Sequence, residues 1–281
     1  MNANKLLELK KTANNIRRHI INGVYSAGCG HPGGSLSIAD IMAYLYSVEL
    51  RVDPENPTDP ARDRFVLSKG HTAPALYGAL AERGFIGKDE ITTLRRIDSR
   101  LQGHPDMKGV PGVDMSTGSL GLGFSAAVGM ALSGKHYGEP YRVYTILGDG
   151  ETEEGQVWEA AMFAAHYKLD NLTAFLDLNG LQIDGDITKV MNPTPHDEKF
   201  LAFGWNVVTI NGHDFSEIEA ALNNAKEVKG KPTLIIAKTL KGKGVSFMEG
   251  KPEWHGQAPK EEQYKIAIAD LDKIDEELGG M

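Results

Sequence analysis

Two short stretches hold the residue types best suited to chemistry. Gly148-Asp149-Gly150 and Asp177-Leu178-Asn179-Gly180 each close a short apolar run, and about thirty positions separate Asp149 from Asn179. That spacing spans one crossover helix of a βαβ unit, so the two side chains should emerge side by side. An Asp carboxylate, an Asn amide oxygen and a nearby backbone carbonyl are hard oxygen donors. They suit Mg²⁺ or Ca²⁺ (Mn²⁺ is chemically close) rather than zinc. Mg²⁺ takes few protein ligands and completes its octahedron with phosphate oxygens and water. Donors for such phosphates follow at Gly118-Ser119-Leu120, which runs into a helical segment at 122–134 whose first turn has free N–H groups. Asp and Asn are also common in ordinary turns, but the pair at one-crossover spacing favours a metal–diphosphate site.

Four of the nine histidines, His31, His71, His104 and His255, lie in glycine-flanked loops. An imidazole with a pKa near 6.5 exchanges protons at neutral pH and hydrogen-bonds to hydroxyls. Four of them in one pocket would fit a polyol substrate whose cleavage moves protons on and off oxygen. His19 and His166 fall on helices, and His136, His196 and His213 in or near turns, where solvation or a satisfied structural bond is the simpler reading. Lys69 reads equally as a cofactor neighbour or a surface lysine. Cys29, beside His31, reads as a small buried residue rather than a nucleophile.

The elements that must position these residues alternate. Residues 5–26 form an amphipathic helix with Leu6, Leu9, Ala13, Ile16, Ile20 and Val24 on one stripe. Further helices are expected at 37–49, 73–83, 122–134, 155–167, 196–203 and 214–228, the last opened by an Asp214/Glu217 capping box. Short strands are expected at 64–67, 142–147, 172–177, 206–210 and 233–238. Strands separated by helices imply βαβ units: an α/β fold, with a parallel sheet flanked by helices in a single domain over 1–281. Ligands of open α/β sheets bind outside the carboxyl ends of the strands. The glycine clusters at 68–71, 148–150 and 179–185 all follow strands on that edge. The acidic end, 270–281, reads as a solvated helix or a fraying tail.

Composition narrows the function classes. With 41% hydrophobic and 24% charged residues, the chain has ordinary globular character. No apolar run approaches the ~18 residues a membrane span needs. A net charge of -8 without a basic block argues against nucleic acid as the main partner. One cysteine leaves no internal disulfide, and with no secretory leader the expected location is cytoplasmic. A nicotinamide dehydrogenase is disfavoured because no G-x-G-x-x-G follows the first strand of a βαβ unit.

GDG followed by Asn resembles the metal and diphosphate signature of thiamine-diphosphate enzymes. The other segments resemble transketolase: GHPGG (30–34), LSKGH (67–71), QGHPD (102–106), STGSLGLG (116–123), LGDGETEEG (147–155), LDLNGLQIDG (176–185), AFGW (202–205), GHD (212–214), AKTLKGKG (237–244) and EWHG (253–256). They occur in family order from near residue 20 to near 257. Deoxyxylulose-phosphate synthase and the alpha chain of 2-oxo acid dehydrogenases share GDG…N, but LSKGH, GHPD and EWHG favour the sugar-handling transketolases. A cofactor-binding subunit without chemistry of its own would not need the four histidines. Two departures are visible: Gly180 stands where many relatives have a second Asn, and Gly33-Gly34 replaces bulkier or hydroxyl residues.

The resemblance implies the thiamine-diphosphate-binding domain, with thiamine diphosphate as cofactor. It implies that Asp149 and Asn179 hold the metal through side chains and Leu181 through its backbone oxygen. Gly118, Ser119, Leu120 and Gly150 would line the cofactor with backbone groups, together with His71, Asn179 and His255, and Lys241 would reach the diphosphate. Glu154 stands where the family links cofactor sites across a dimer. The implied reaction moves a two-carbon ketol unit from a ketose to an aldose, both usually sugar phosphates. Only the first of the family's three domains is covered, and the carboxylate that activates the cofactor's pyrimidine belongs to the second. The expectation is therefore a partner C-terminal transketolase subunit, carrying the pyrimidine and C-terminal domains, assembled as two copies of each chain (α2β2).

Overall fold

The computed structural model describes residues 1–280. Helices α1 (Ala3–Ala27), α2 (Pro32–Leu36) and α3 (Ala39–Tyr44) precede β1 (Arg64–Leu67) and α4 (Ala73–Arg83). Then come α5 (Leu122–Tyr137), β2 (Val143–Gly148), α6 (Gly155–His166), β3 (Leu172–Leu178), and a hairpin of β4 (Leu181–Gln182) and β5 (Gly185–Asp186). The chain continues through α7 (Ile187–Val190), α8 (His196–Ala202), β6 (Asn206–Asn211), α9 (Phe215–Glu227), β7 (Thr233–Lys238) and α10 (Glu261–Gly279). Five strands pair in parallel in the order β1-β2-β3-β7-β6. The parallel α/β sheet expected from the alternating pattern is the observed fold.

Period-2 patterning builds the two halves of the core, since successive strand residues point to opposite faces. Tyr144, Ile146, Phe175, Ile235 and Ala237 join the cluster that contains the buried stripes of α1, α3, α4 and α9. Val143, Leu147, Leu172, Leu176, Leu234 and Ile236 join the cluster under α5, α6 and α8. On α1 the stripe Leu9, Ala13, Ile16, Ile20 and Val24 is buried. Asn2 caps its start by accepting the Lys5 N–H, and Gly28 ends it in the left-handed region at φ 65°.

Three local expectations are corrected and one open alternative is decided. The helix expected over 37–49 is α3 continued by a wider π-turn at Leu45–Glu49, and the GHPGG loop adds the one-turn helix α2 with Pro32 at its start. The Asp214/Glu217 capping box is only half formed. Asp214 accepts the Ser216 and Glu217 N–H groups, but the Glu217 carboxylate takes the Asn211 N–H at 2.7 Å. Cys29 is exposed rather than buried, because Gly28 turns the chain outward. At the acidic end, expected as a solvated helix or a fraying tail, the helix alternative holds over the described length. α10 docks on α1 by burying Ala267, Leu271 and Leu278, and Asn14 Nδ2 donates to the Leu271 carbonyl at 2.9 Å. The acidity of that segment misleads because its apolar residues are sparse but share one face; only residue 281 lies outside the described residues.

Candidate active site

Register brings the glycine-rich loops together. Leu67 pairs with Ile146, Gly148 with Asp177, and Leu178 with Lys238, so β1, β2, β3 and β7 end at a common edge. There a cleft of about 240 Å³ is lined by His31, Lys69, His71, Gly118, Leu120, Asp149, Gly150, Asn179, Leu181, Lys241 and His255, among others. Two close approaches need glycine. A Cβ at Gly70 would fall 2.8 Å from the Gly118 backbone nitrogen, and one at Gly33 would fall 2.8 Å from the Trp254 carbonyl. The second contact explains part of the Gly33-Gly34 departure: it lets the GHPGG turn seat against the EWHG loop.

On the β2–β3 side, the Gly180 N–H donates to Asp149 Oδ2 at 2.6 Å, so the two turns touch. Asp149 Oδ1 accepts the Gly150 N–H at 2.8 Å. Burial, and then the neighbouring negative Asp177, push the Asp149 pKa up to about 6 against these donations. Asn179 Nδ2 donates to Asp177 Oδ2 at 3.0 Å, which fixes the amide so that Oδ1 is the acceptor end; it takes the Leu181 N–H at 3.1 Å and keeps a second lone pair. The Leu181 carbonyl accepts from Lys241 Nζ at 3.0 Å. No cluster of three or more His, Cys, Asp or Glu side chains able to hold a metal exists among the described residues. A metal here must therefore be held by one carboxylate with amide and carbonyl oxygens. Such a set fits a hard divalent ion, and a buried carboxylate with a raised pKa is a group that an ion would stabilise.

Two lysines form the basic floor. Lys69 and Lys241 are each 2% exposed. Lys69 Nζ donates to the Gly34 carbonyl at 2.9 Å and pairs with Asp177. Asp177 also accepts from Ser37 Oγ at 2.7 Å and from Thr239. Burial raises the Asp177 pKa, but Lys69 and the hydrogen bonds outweigh it and hold the carboxyl ionised. Burial and the nearby Lys69 lower Lys241 to about 8. Lys241 Nζ stands 3.1 Å from His255 Nδ1. An ammonium can only donate, so the His255 proton sits on Nε2.

The four histidines converge. Ring centroids lie 5.3 Å apart for His31–His71, 5.4 Å for His31–His255, 5.1 Å for His71–His255 and 6.4 Å for His31–His104. Burial lowers all four pKa values, aided by neighbouring cations: His31 to about 4, His255 to about 3, with His71 and His104 also below 6.5. At neutral pH they are uncharged, each with one donor and one acceptor nitrogen. They serve a hydroxylated ligand better as hydrogen-bonding groups than as ready proton carriers. His31 Nδ1 and Thr117 Oγ1 are buried with no hydrogen-bond partner, as expected of groups that await a ligand.

Some positions differ from expectation. Ser119 is exposed and does not line the cleft. His104 reaches the site through His31 rather than lining it. Glu154, by contrast, is exposed at the start of α6, a position open to another chain. Two contributors escaped the sequence reading. Buried Glu151 accepts from Gly121 N at 2.8 Å, Gly148 N at 2.9 Å and Ser68, tying the ends of β1 and β2 to the 118–121 turn. His213 Nε2 accepts the Leu240 N–H at 2.9 Å while Nδ1 faces Asp40 at 2.7 Å, which steadies the loop carrying Lys241. Glu151 could have been suspected from its place beside GDG. For His213 only its GHD context gave a signal.

The family described as "Transketolase, thiamine diphosphate binding domain" matches residues 9–272. The chain is 50% identical to a 6-deoxy-6-sulfo-D-fructose transketolase subunit of Clostridium sp. (strain MSTE9), over 95% of this chain and 97% of that one. It is 42% identical to an apulose-4-phosphate transketolase subunit of Phocaeicola vulgatus, over 98% of both. Human transketolase is 46% identical over 90% of this chain but only 40% of its own length. A crystal structure of Campylobacter jejuni transketolase superposes with a TM-score of 0.90 at 36% identity, covering 97% of this chain and 43% of that one. The chain thus belongs to the transketolase family and corresponds to its thiamine diphosphate-binding domain.

Proposed function

We propose that this chain is the cofactor-binding subunit of a two-chain transketolase that moves a two-carbon ketol unit from an anionic ketose to an aldose. The observation that carries the reading is one cleft lined by oxygen donors, two buried lysines and the uncharged His31, His71 and His255, with His104 beside His31. Asp149, Asn179 and the Leu181 carbonyl would hold Mg²⁺ (Ca²⁺ and Mn²⁺ suit the same oxygens), and Lys241 and the backbone of Gly118 and Leu120 would face the diphosphate. Thiamine diphosphate, when bound, supplies the nucleophilic carbon and the electron sink for breaking the C2–C3 bond of a ketose. His31, His71, His104 and His255 bind and orient the sugar hydroxyls and hold protons at their oxygens.

A pyrimidine-side carboxylate is not among these groups, which supports a partner chain carrying it. The naming of the two relatives of matching length as subunits supports the same division. Two copies of each chain in the assembly and a cytoplasmic location belong to this reading. The donor's terminus is phosphate or sulfonate; the sulfonate is favoured by the 50% identity to the protein named for sulfofructose.

The test is turnover of xylulose 5-phosphate and of 6-deoxy-6-sulfofructose with an aldose acceptor, by this chain with and without its partner. Turnover only with the partner is expected. Robust turnover by the chain alone would overturn the division of labour. In the same preparation, Asp149→Ala or chelation should weaken thiamine diphosphate binding at least about tenfold by titration. Unchanged affinity would remove the metal assignment.

A further inference from the structure

A second cavity, of about 460 Å³, lies apart from the cleft and shares none of its lining residues. That volume suits a small metabolite. Its wall is built from α1 (Lys10, Arg17), α3 (Asp40), α10 (Lys273), His213 and the loop 243–249. The two buried members, Arg17 and Asp40, are each 6% exposed and form an ion pair. His213 Nδ1 faces the same carboxylate at 2.7 Å. Arg17 gives one amino group to Asp40, but its Nε has no hydrogen-bond partner, an uncommon state for a buried donor.

The charged groups around this cavity do not cancel. Asp40 is held by Arg17 and His213. Asp270 accepts from Ser246 N at 2.9 Å and Ser246 Oγ at 2.7 Å. Glu249 accepts the Gly244 N–H at 2.9 Å, with Lys243 Nζ 3.7 Å away. Among the described residues, Lys10 and Lys273 have no carboxylate within 4.0 Å, and of the acidic lining residues only Glu277 has no cation within that distance. Unused donors on Lys10, Lys273 and Arg17 therefore outnumber unused acceptors, and an oxyanion is the ligand chemistry that engages them.

The same residues reach the cleft. His213 Nε2 accepts the Leu240 N–H at 2.9 Å, and the next residue is Lys241. We infer that this cavity binds a small metabolite bearing a phosphate or carboxylate, and that its occupation loosens the hold of Lys241 on the cofactor through Arg17, Asp40, His213 and Leu240. An oxyanion on Arg17 competes with Asp40 for the guanidinium. Asp40 orients His213, and His213 fixes the backbone that carries Lys241. By linkage, anion and cofactor each weaken the binding of the other. This coupling rests on the placement of Lys241 at the diphosphate.

The test is titration of thiamine diphosphate into the two-chain enzyme with Mg²⁺, in the presence of glycerol 3-phosphate, succinate or, as a neutral control, glycerol. The cofactor Kd should rise about fivefold and then level off as anion is added, at the low end of usual coupling, and glycerol should leave it unchanged. A response to one anion alone supports the inference and identifies the ligand as phosphorylated or carboxylated. A Kd that climbs without limit marks direct competition at the diphosphate seat and overturns it. Lys10→Ser combined with Lys273→Ser removes two rim charges that pair with no carboxylate, so thermal unfolding should match the wild type. The anion concentration giving half the effect should then rise about tenfold, the scale for charged hydrogen-bonding groups. An effect unchanged in that variant overturns the site. A wild-type enzyme that binds no cofactor sinks the functional reading and this one together; cofactor binding indifferent to both anions sinks only this one.

Discussion

Among single residues, the site depends on groups that never need touch a substrate. Asp177 is fully buried, and its charge is balanced by Lys69, Ser37, Thr239 and Asn179. It orients the Asn179 amide and anchors the Lys69 ammonium on the cleft floor. Removing one member of a buried pair leaves the other uncompensated, at about 3–5 kcal/mol, whereas removing both is far less damaging. Lys69→Met and Asp177→Asn should each destabilise the chain by about that much, and the double variant should recover at least about 2 kcal/mol of the summed loss. Urea unfolding of the three variants checks this; additive losses would show that the pair is not the unit of stability. Lys69 was legible from SKGH only as a residue of two equal readings. Its partner lies 108 positions away, and only the β1-β2-β3 order of the sheet brings it near.

Among the elements, α1 is the hub against which α3, α4 and α10 pack. Its contact with α4 includes Glu82, which takes His19 Nε2 at 2.8 Å, Asn15 Nδ2 at 3.2 Å and Lys88 Nζ at 2.7 Å. Burial alone would raise the Glu82 pKa, but these partners bring it from 4.5 down to about 2. A depressed carboxylate contributes stability that is complete above its unfolded pKa and is lost as pH falls through the folded value. The interval corresponds to about 3 kcal/mol by linkage, and solvent screening at this partly exposed group reduces it to about 1–2 kcal/mol. Glu82→Gln should therefore cost about 1–2 kcal/mol at pH 7, with the difference shrinking between about pH 4.5 and 2. A pH-independent difference in unfolding free energy would mean that packing, not charge, carries the contact. The five strands of the main sheet and helices α1, α4, α5, α6, α8 and α9 were legible from periodicity, because each buries one stripe or alternates across the sheet. The gaps fall where glycine-rich motifs coil into the single turn of α2 or fold into the β4–β5 hairpin and α7, and where sparse apolar residues left acidic α10 undecided between helix and tail.

Across the molecule as a whole, charge and apolar surface are unevenly placed. The chain carries a net -8, yet its cleft is floored by two buried lysines, so the field at the site is local rather than global. On α5 and α6, Leu122 (50%), Met162 (49%) and Phe163 (40%) are exposed, as is Tyr167 (47%) just past the end of α6. Such apolar residues on neighbouring helices suit an interface, and exposed Glu154 opens α6 beside them. Light scattering of the enzyme with its partner should give a mass of two copies of each chain. Phe163→Asp should lower that mass and the turnover together while leaving the stability of the isolated chain within about 1 kcal/mol, as for a surface change. An unchanged mass would place the interface elsewhere.

The linear order of residues was enough to establish the α/β class, the sheet edge that carries function, and the pairing of Asp149 with the Asn179 turn. Those depend on period and spacing, which a one-dimensional string contains. The strand order, the Lys69–Asp177 pair, the knot of Glu151 and the support of Leu240 by His213 emerged with the folded chain. So did the convergence of the four histidines and the lowering of their pKa values by burial. Each of these depends on which distant groups burial brings together and strips of water, and no local pattern encodes that.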